Sequence, residues 1–431
     1  MNKYKAFIFK DYSFDEGTKT LICHYSYDDK IDFSESFEFT FPIDTTYDHD
    51  LLDNAIQLLF FIVGVSYFKA YLPPNIEVRK GDIDRPTADF LNKTYQKGLG
   101  EFFFVNRLDP QTPISFPLTT NSVVKNEGPD LSSGFLVGLG GGKDSLVSVE
   151  LLRSQPNVAT WMMTLQKMSA PLVDSTGLPN LWIHRTLDSK IKELNRQDAL
   201  NGHIPFSAIL AGLGSVVAIL TNRRDVVVSN ESSSNEPTLT YQGVDINHQY
   251  SKSQEFEADF QRLLESRMGN RIRYYSLLRP FSELRIAELF ALYFDKYKKV
   301  FTSCNVAAVP NSNIKGLWCG TCPKCAFVFL ALTPFIERSK LEALWGDKNL
   351  LLDPALDQTY RQLLGIEGDK PLECVGEIKE SRAAMRLAQQ QYPQLSKYVF
   401  DLPADYDYRK LAGHNIPQEV FAMLKQALGI T

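Results

Sequence analysis

Residues 134–152 read GFLVGLGGGKDSLVSVELL: a near-continuous apolar run, the glycines Gly140, Gly141 and Gly142, then Lys143, Asp144 and Ser145 at the head of a second apolar run. An apolar run without alternation is the pattern of a strand covered on both faces. The run after the glycines has the spacing of a helix. A buried strand that turns through glycines into a helix is a βα unit, and such a unit requires parallel neighbours. The chain supplies them in VATWMMTL (158–165), LPNLWIHRTL (178–187), RDVVVSNE (224–231) and RIRYYSLLRP (271–280), each separated by helical stretches. The expected fold class is α/β, with a doubly wound parallel sheet.

The flanks read differently. KAFIFKDYSF, TKTLICHYSYDD and DFSESFEFTFPI are short, aromatic-rich, partly alternating segments, the pattern of antiparallel strands. A helical stretch beginning near Asp48 or Asp50 follows, either of which suits an N-cap. A polar, proline-containing linker, TTNSVVKNEGPDLSSG (119–134), precedes the glycine loop. These features divide the chain into an N-terminal α+β domain (1–125), a domain carrying the glycine loop (126–345) and a mostly helical C-terminal region (346–431).

The net charge of −5 argues against a nucleic-acid partner. No apolar leader opens the chain, and the apolar stretch at 205–220 is shorter than the ~20 residues that span a bilayer. A cytoplasmic protein with no membrane role and no obligate protein partner is expected.

Two familiar phosphate loops fail here. Val137 stands where the Walker pattern has its first glycine, and Asp144 where it has Ser or Thr. Lys143 stands where the dinucleotide pattern needs its third glycine. Gly140-Gly141-Gly142-Lys143-Asp144-Ser145 instead resembles the PP-loop, S-G-G-x-D-S, of ATP pyrophosphatases, with glycine replacing the first serine. Glycines admit a phosphate close to backbone N–H groups, and the helix start offers an anion its dipole. Ser145 can donate to a phosphate, and Asp144, read as an exposed loop residue, can help hold Mg²⁺. The bland alternative is a tight turn with no ligand.

Of six cysteines, Cys304, Cys319, Cys322 and Cys325 form C-x14-C-x2-C-x2-C. Four thiolates at such spacing suit a tetrahedral structural Zn²⁺. An iron–sulfur cluster and unligated thiols remain alternatives.

Taken together, GVSYFKAYLPP, GLGEFFF, GGGKDS, LNGHIPFSA, SNESS, VDINHQYSKSQEFE, YSLLRPFSELRIA, FTSCN, WCGTCPKCAFVFLAL and KPLECVGEIKESR resemble one family over nearly the whole chain. That family is the UDP-N-acetylmuramoyl-L-alanyl-L-glutamate epimerases of peptidoglycan synthesis. The resemblance implies a sheet of the PP-loop, adenine nucleotide alpha hydrolase type. It implies a small-molecule substrate, UDP-MurNAc-L-Ala-L-Glu, whose terminal L-glutamate is inverted with ATP and Mg²⁺ consumed as AMP and pyrophosphate are released. Asn230 and Glu231, at the end of an expected strand, lie where such sheets bind ligands, with Glu231 a candidate for Mg²⁺. Asn247, Gln249, Ser251 and Lys252 form a polar run suited to phosphate or carboxylate. Arg279 can clamp either anion. His248 and His203 are the acid–base candidates. Cys374 is a third, against the alternative of an inert buried thiol. Rival readings are a PP-loop enzyme that modifies a nucleobase or tRNA, and a non-catalytic nucleotide-binding protein.

Overall fold

The computed structural model describes residues 3–123, 125, 128–163, 169–307, 314 and 316–430. The end of the expected strand at 158–165 and part of the linker at 119–134 lie outside the described residues.

Eleven strands are described: β1 (Ala6–Asp15), β2 (Thr20–Tyr27), β3 (Ile31–Phe39), β4 (Asn75–Val78), β5 (Phe135–Gly138), β6 (Val158–Met163), β7 (Asn180–Thr186), β8 (Asp225–Val228), β9 (Leu239–Tyr241), β10 (Val244–Ile246) and β11 (Arg273–Ser276). Nine form one sheet in the order β11-β8-β5-β6-β7-β3-β2-β1-β4, and β9–β10 form a separate hairpin. From β11 to β7 every pairing is parallel. The fold is α/β, with a large and mostly parallel sheet flanked by helices. Within the parallel part the chain runs from β5 outward to β6 and β7, then crosses to β8 and β11 on the other side. The carboxyl ends of β5 and β8 therefore flank a topological switch point, where such sheets bind ligands.

The stretch 1–125 contributes four strands to this same sheet. Its antiparallel β1–β2–β3 meander joins the parallel part through β3 and β7, in register from Ser36↔Thr186 to Phe39↔Ile183. Alternation along β3 buries Phe33, Phe37 and Phe39. Glu35, buried between them, is neutralised across the seam by Arg185 of β7, which also donates to Ser66 Oγ at 2.9 Å.

Alternation in the parallel strands divides the core. Leu136, Val226 and Tyr274 face the cluster shared with the N-terminal stretch, whereas Val137, Val227 and Tyr275 face the C-terminal helices. The helix His49–Val63 is capped by Asp48, which accepts from Leu51 N. With its continuation to Phe68 it is long and apolar enough to cross a membrane, yet 89% of its 18-residue apolar window is buried inside the fold. Helix Phe206–Leu220 packs against it at Gly212, where an added Cβ would stand 3.3 Å from Leu59 Cα, so glycine suits so close an approach.

Candidate active site

The glycine loop leaves β5 at the switch point. Gly141 takes φ +91, a left-handed conformation that favours glycine. Helix Lys143–Leu152 then begins at Gly142 with no side-chain cap, so its first N–H groups remain available to an anion. A Cβ at Gly140 would meet nothing within 4 Å, so the replaced serine costs the loop no packing. Ser145 Oγ donates to Gly142 O at 3.1 Å.

Asp144 is not an exposed loop residue. It lies in the first helical turn, its carboxylate hydrogen-bonded to Lys143, whose ammonium also bonds Glu283. Lys143 and Glu283 are each only 2% exposed. Burial would lower the Lys143 pKa, but Asp144 and Glu283 outweigh it and hold the ammonium charged. Burial pushes Glu283 up to about 7 despite Lys143, with Asp144 and Glu231 adding to the rise. Glu283 opens helix Glu283–Ala291, and its N–H donates to Glu380 Oε1 at 2.9 Å. The other Glu380 oxygen accepts from Glu377 N at 2.9 Å in a capping box, so one buried carboxyl ties two helix starts together.

A second group adjoins the first. Lys252 Nζ donates to Cys374 Sγ at 3.1 Å, and the His248 imidazole and the same thiol shift one another's pKa values. On its other side His248 Nδ1 bonds Glu101, which also lies 3.8 Å from His203 Nδ1. The two imidazoles pack with ring centroids 4.5 Å apart. Burial works against the Cys374 thiolate, yet Lys252, His248 and Lys324 outweigh it and bring the thiol down to about 5. Burial likewise opposes charge on His248, but Cys374 and Glu101 push it up to about 9. Burial and the charge on His248 press His203 down to about 4. Cys374 and His248 thus share a thiolate–imidazolium pair across the neutral range. Lys252 links the two groups: burial disfavours its charge, but Cys374, Glu231 and Asp144 together hold it.

Iodoacetamide tests that pair. An ordinary thiol with pKa ~8.5 gains about 50-fold in thiolate between pH 6.5 and 8.5. Cys374, ionised above about 5, is expected to alkylate at a nearly constant rate over the same interval. Peptide mapping that finds its rate climbing in parallel with glutathione would contradict the pair.

The other expected site residues surround these groups, several of them in bracing roles. Arg279 is fully buried, and its Nη atoms donate to Glu231 O, Ser234 Oγ, Lys252 O, Glu257 Oε2 and Ser276 Oγ. It braces the loops that carry Glu231 and Lys252 instead of clamping a ligand anion. Asn247 donates to Ser234 O at 2.9 Å and accepts from Gln249 N at 2.7 Å, which shapes the loop holding His248. Gln249 Oε1 lies 3.5 Å from Lys252 Nζ, and Ser251 is buried in the same turn. Asn230 is buried against Ser276, and Glu231 follows it at the end of β8. Glu101, Glu283, Lys324 and Glu380 are site residues that the sequence reading does not single out.

Cys304, Cys319, Cys322 and Cys325 bring their sulfurs within 4.8 Å of one another. The Cys304–Cys322 and Cys319–Cys325 separations are 3.9 and 3.7 Å. Around a tetrahedral ion at 2.3 Å from each sulfur the expected edge is about 3.8 Å. Backbone N–H groups of Ala307, Cys319, Thr321 and Cys325 donate to three of the sulfurs at 3.4 Å, as suits thiolates. The cluster also reaches the glycine loop. Thr302 N donates to Gly141 O at 2.9 Å, and Thr302 Oγ1 accepts from Cys304 N at 3.1 Å.

A glycine loop at the switch point, beside a carboxylate–imidazole–thiol–ammonium chain, defines an α/β enzyme built to handle an anionic substrate and move protons. The chain belongs to the MurL family: the MurL N-terminal domain model matches residues 1–277 and the MurL C-terminal domain model matches 300–405. It is 42% identical over 341 residues to the UDP-N-acetyl-alpha-D-muramoyl-L-alanyl-L-glutamate epimerase of Xanthomonas oryzae pv. oryzae, covering 78% of this chain and 74% of that one. Epimerases of the same name from Salinispora tropica and a Micromonospora species are each 36% identical, over 91% of this chain and 86% and 88% of theirs. No solved structure matches the chain.

Proposed function

We propose that this protein inverts the terminal L-glutamate of UDP-MurNAc-L-Ala-L-Glu to D-glutamate, and that it first adenylylates the glutamate carboxylate with ATP. The family match, which spans both the glycine loop and the Cys374 segment, carries this reading. The chemistry explains why the two groups lie side by side. Removing a Cα proton next to a carboxylate would place a second negative charge on an anion. Adenylylation makes that carboxylate an acyl phosphate, neutral at the carbonyl, and its α-proton far more acidic. The acid–base chain at Glu101, His248 and Cys374 then has a proton it can move.

In this reading the sheet is of the PP-loop type, and the loop N–H groups, Lys143 and Ser145 hold the ATP phosphates. Asp144, Glu231 and Glu283 would hold Mg²⁺, which supplies charge neutralisation when bound. The fit is chemical: three carboxylates crowd one buried site, and Glu283 is pushed up to about 7 there by burial with Asp144 and Glu231 adding, against Lys143. The four cysteines would hold a structural Zn²⁺. A precursor joined to a nucleotide and an ATP-consuming reaction both fit a cytoplasmic enzyme.

The test is incubation of the purified chain with UDP-MurNAc-L-Ala-L-Glu, ATP and Mg²⁺ in deuterated water. AMP release, deuterium at the glutamate Cα and a D-glutamate product are expected together. AMP release without deuterium would replace the epimerisation with another acceptor chemistry. No AMP with this substrate would leave nucleobase substrates as the reading to pursue.

A further inference from the structure

We infer that Cys374 acts as a covalent nucleophile: it takes the activated glutamyl group from the adenylate as an enzyme-bound thioester, and inversion at Cα occurs on that thioester. The inference rests on the carboxylate activation proposed above and goes one step past it.

Geometry comes first. The backbone around Cys374 is pinned on every side. Lys370 is ion-paired with Glu236, Lys324 N donates to Glu373 Oε2 at 3.1 Å, Lys324 Nζ bonds the Cys374 carbonyl, and the Glu377–Glu380 capping box follows. The sulfur itself meets Lys252 at 3.1 Å, and His248, whose Nδ1 is held by Glu101, helps to lower the thiol. A carboxylate that orients an imidazole, which in turn ionises a thiol, is the arrangement that activates a nucleophile. Lys252, the cation on that sulfur, also responds to Asp144 and Glu231 beside the glycine loop, so thiolate and adenylate site share one charged neighbourhood.

The low thiol pKa suits a nucleophile. Lowering the thiol from 9.0 to about 5 costs about four orders of magnitude in proton affinity. Thiolate nucleophilicity falls with only ~0.4–0.5 of the pKa change, roughly two orders, while the anionic fraction at neutral pH rises to near unity. A site that stabilises its thiolate this strongly keeps a nucleophile that is fully ionised at neutral pH, beside an imidazole that can serve as the base.

The step balances without a redox partner. The Cys374 thiolate forms a bond to the acyl carbon, the acyl–phosphate C–O bond breaks, and AMP leaves with the electron pair. Sulfur is now uncharged, so the partner that most raised the His248 pKa is gone, and the ring can release its proton to water while Glu101 holds its orientation. Neutral imidazole takes the Cα proton, water supplies a proton to the opposite face, and a second water cleaves the thioester to carboxylate and thiolate, releasing its protons to solvent. His203, pressed low beside it, stays neutral and adds no charge against this cycle.

The experiment uses the full chain with UDP-MurNAc-L-Ala-L-Glu, ATP and Mg²⁺, acid-quenched within the first turnover. Intact mass and peptide mapping follow, with substrate-dependent exchange of labelled pyrophosphate into ATP measured in parallel. The expected result is exchange together with an ATP-dependent mass gain on Cys374, equal to the substrate less one water and removed by neutral hydroxylamine. Cys374→Ala, its fold checked by its thermal transition, should give no adduct and lose Cα deuterium incorporation by at least ~10³-fold. Exchange and Cα deuterium in the unaltered chain with Cys374 unmodified and no hydroxamate formed would overturn the thioester and leave the adenylate standing. Cys374→Ala retaining a tenth or more of the deuterium rate would also overturn it. No exchange at all would remove the activation itself, and the thioester with it.

Discussion

Lys143→Met is expected to lower AMP release by at least about 10³-fold and to destabilise the fold by about 3–5 kcal/mol. Two effects with one origin lie behind these figures. Lys143 is 2% exposed and bonded to both Asp144 and Glu283, so methionine leaves two carboxylates facing each other without the ammonium that bonds them both. Breaking a buried pair costs more than the pair contributed, because the surviving charge has lost its solvent and its partner. The pH dependence follows. Glu283 is raised in the native fold, mainly by burial, so its cost to stability is absent below its ordinary pKa near 4.5 and accumulates as pH rises to about 7. Asp144 is depressed: burial opposes it, but Lys143, Lys324 and Lys252 outweigh that, so it contributes stability above its ordinary range and loses it in acid. Removing Lys143 turns Asp144 from the second kind of group toward the first. Urea denaturation should therefore show the deficit of Lys143→Met widening from pH 5 to pH 8. A variant as stable as the unaltered chain at pH 8 would remove the ion-pair role, and one that still releases AMP at the unaltered rate would remove the phosphate-binding role.

What the sequence makes legible is local. The glycine loop, the runs that become β5, β8 and β11, and the C-x2-C-x2-C spacing each sit within a few residues, and each reports its own geometry. The pairing of Ser36 with Thr186 is not local. Nothing in β3 or β7 names the other, so a polar linker at 119–134 reads as a boundary although strands from both sides of it share one sheet. The same limit hides Glu101 and Glu283. An acidic residue in the first turn of a helix is ordinary complementation of the helix dipole, and only the fold places these two against His248 and Lys143. Arg279 shows the reverse. An arginine just past a strand end looks like an anion clamp, and the protein uses it as a brace because Glu257, Ser276 and two carbonyls reach it first. Cys374 reads as a lone thiol among polar residues, since Lys252 and His248 come from a segment more than a hundred residues away.

Cys325→Ser is expected to strip the four-cysteine site of its metal and, through it, to weaken nucleotide binding at a loop it does not touch. Cys325 is fully buried, and its N–H donates to Cys322 Sγ at 3.4 Å, so serine there loses a thiolate ligand in a place where an alkoxide would be hard to form. With Zn²⁺ bound to the native fold at a thousand times its dissociation constant or more, the ion contributes roughly 4–5 kcal/mol by mass action. For a chain of 431 residues that corresponds to a fall of about 5 °C in Tm. The wider consequence runs through Thr302. Its backbone N–H holds Gly141 O at 2.9 Å and its hydroxyl accepts from Cys304 N, so a loosened cysteine loop releases a backbone hydrogen bond that joins that loop to the glycine loop. Metal analysis should find one zinc per chain in the unaltered protein and none in Cys325→Ser, with the variant's ATP dissociation constant raised about tenfold or more. Full metal content in the variant would remove Cys325 from the site. Loss of metal with unchanged ATP affinity would keep the site and cut its link to Gly141. The second result would separate a cluster that only holds the C-terminal helices from one that also sets the loop where the chemistry begins.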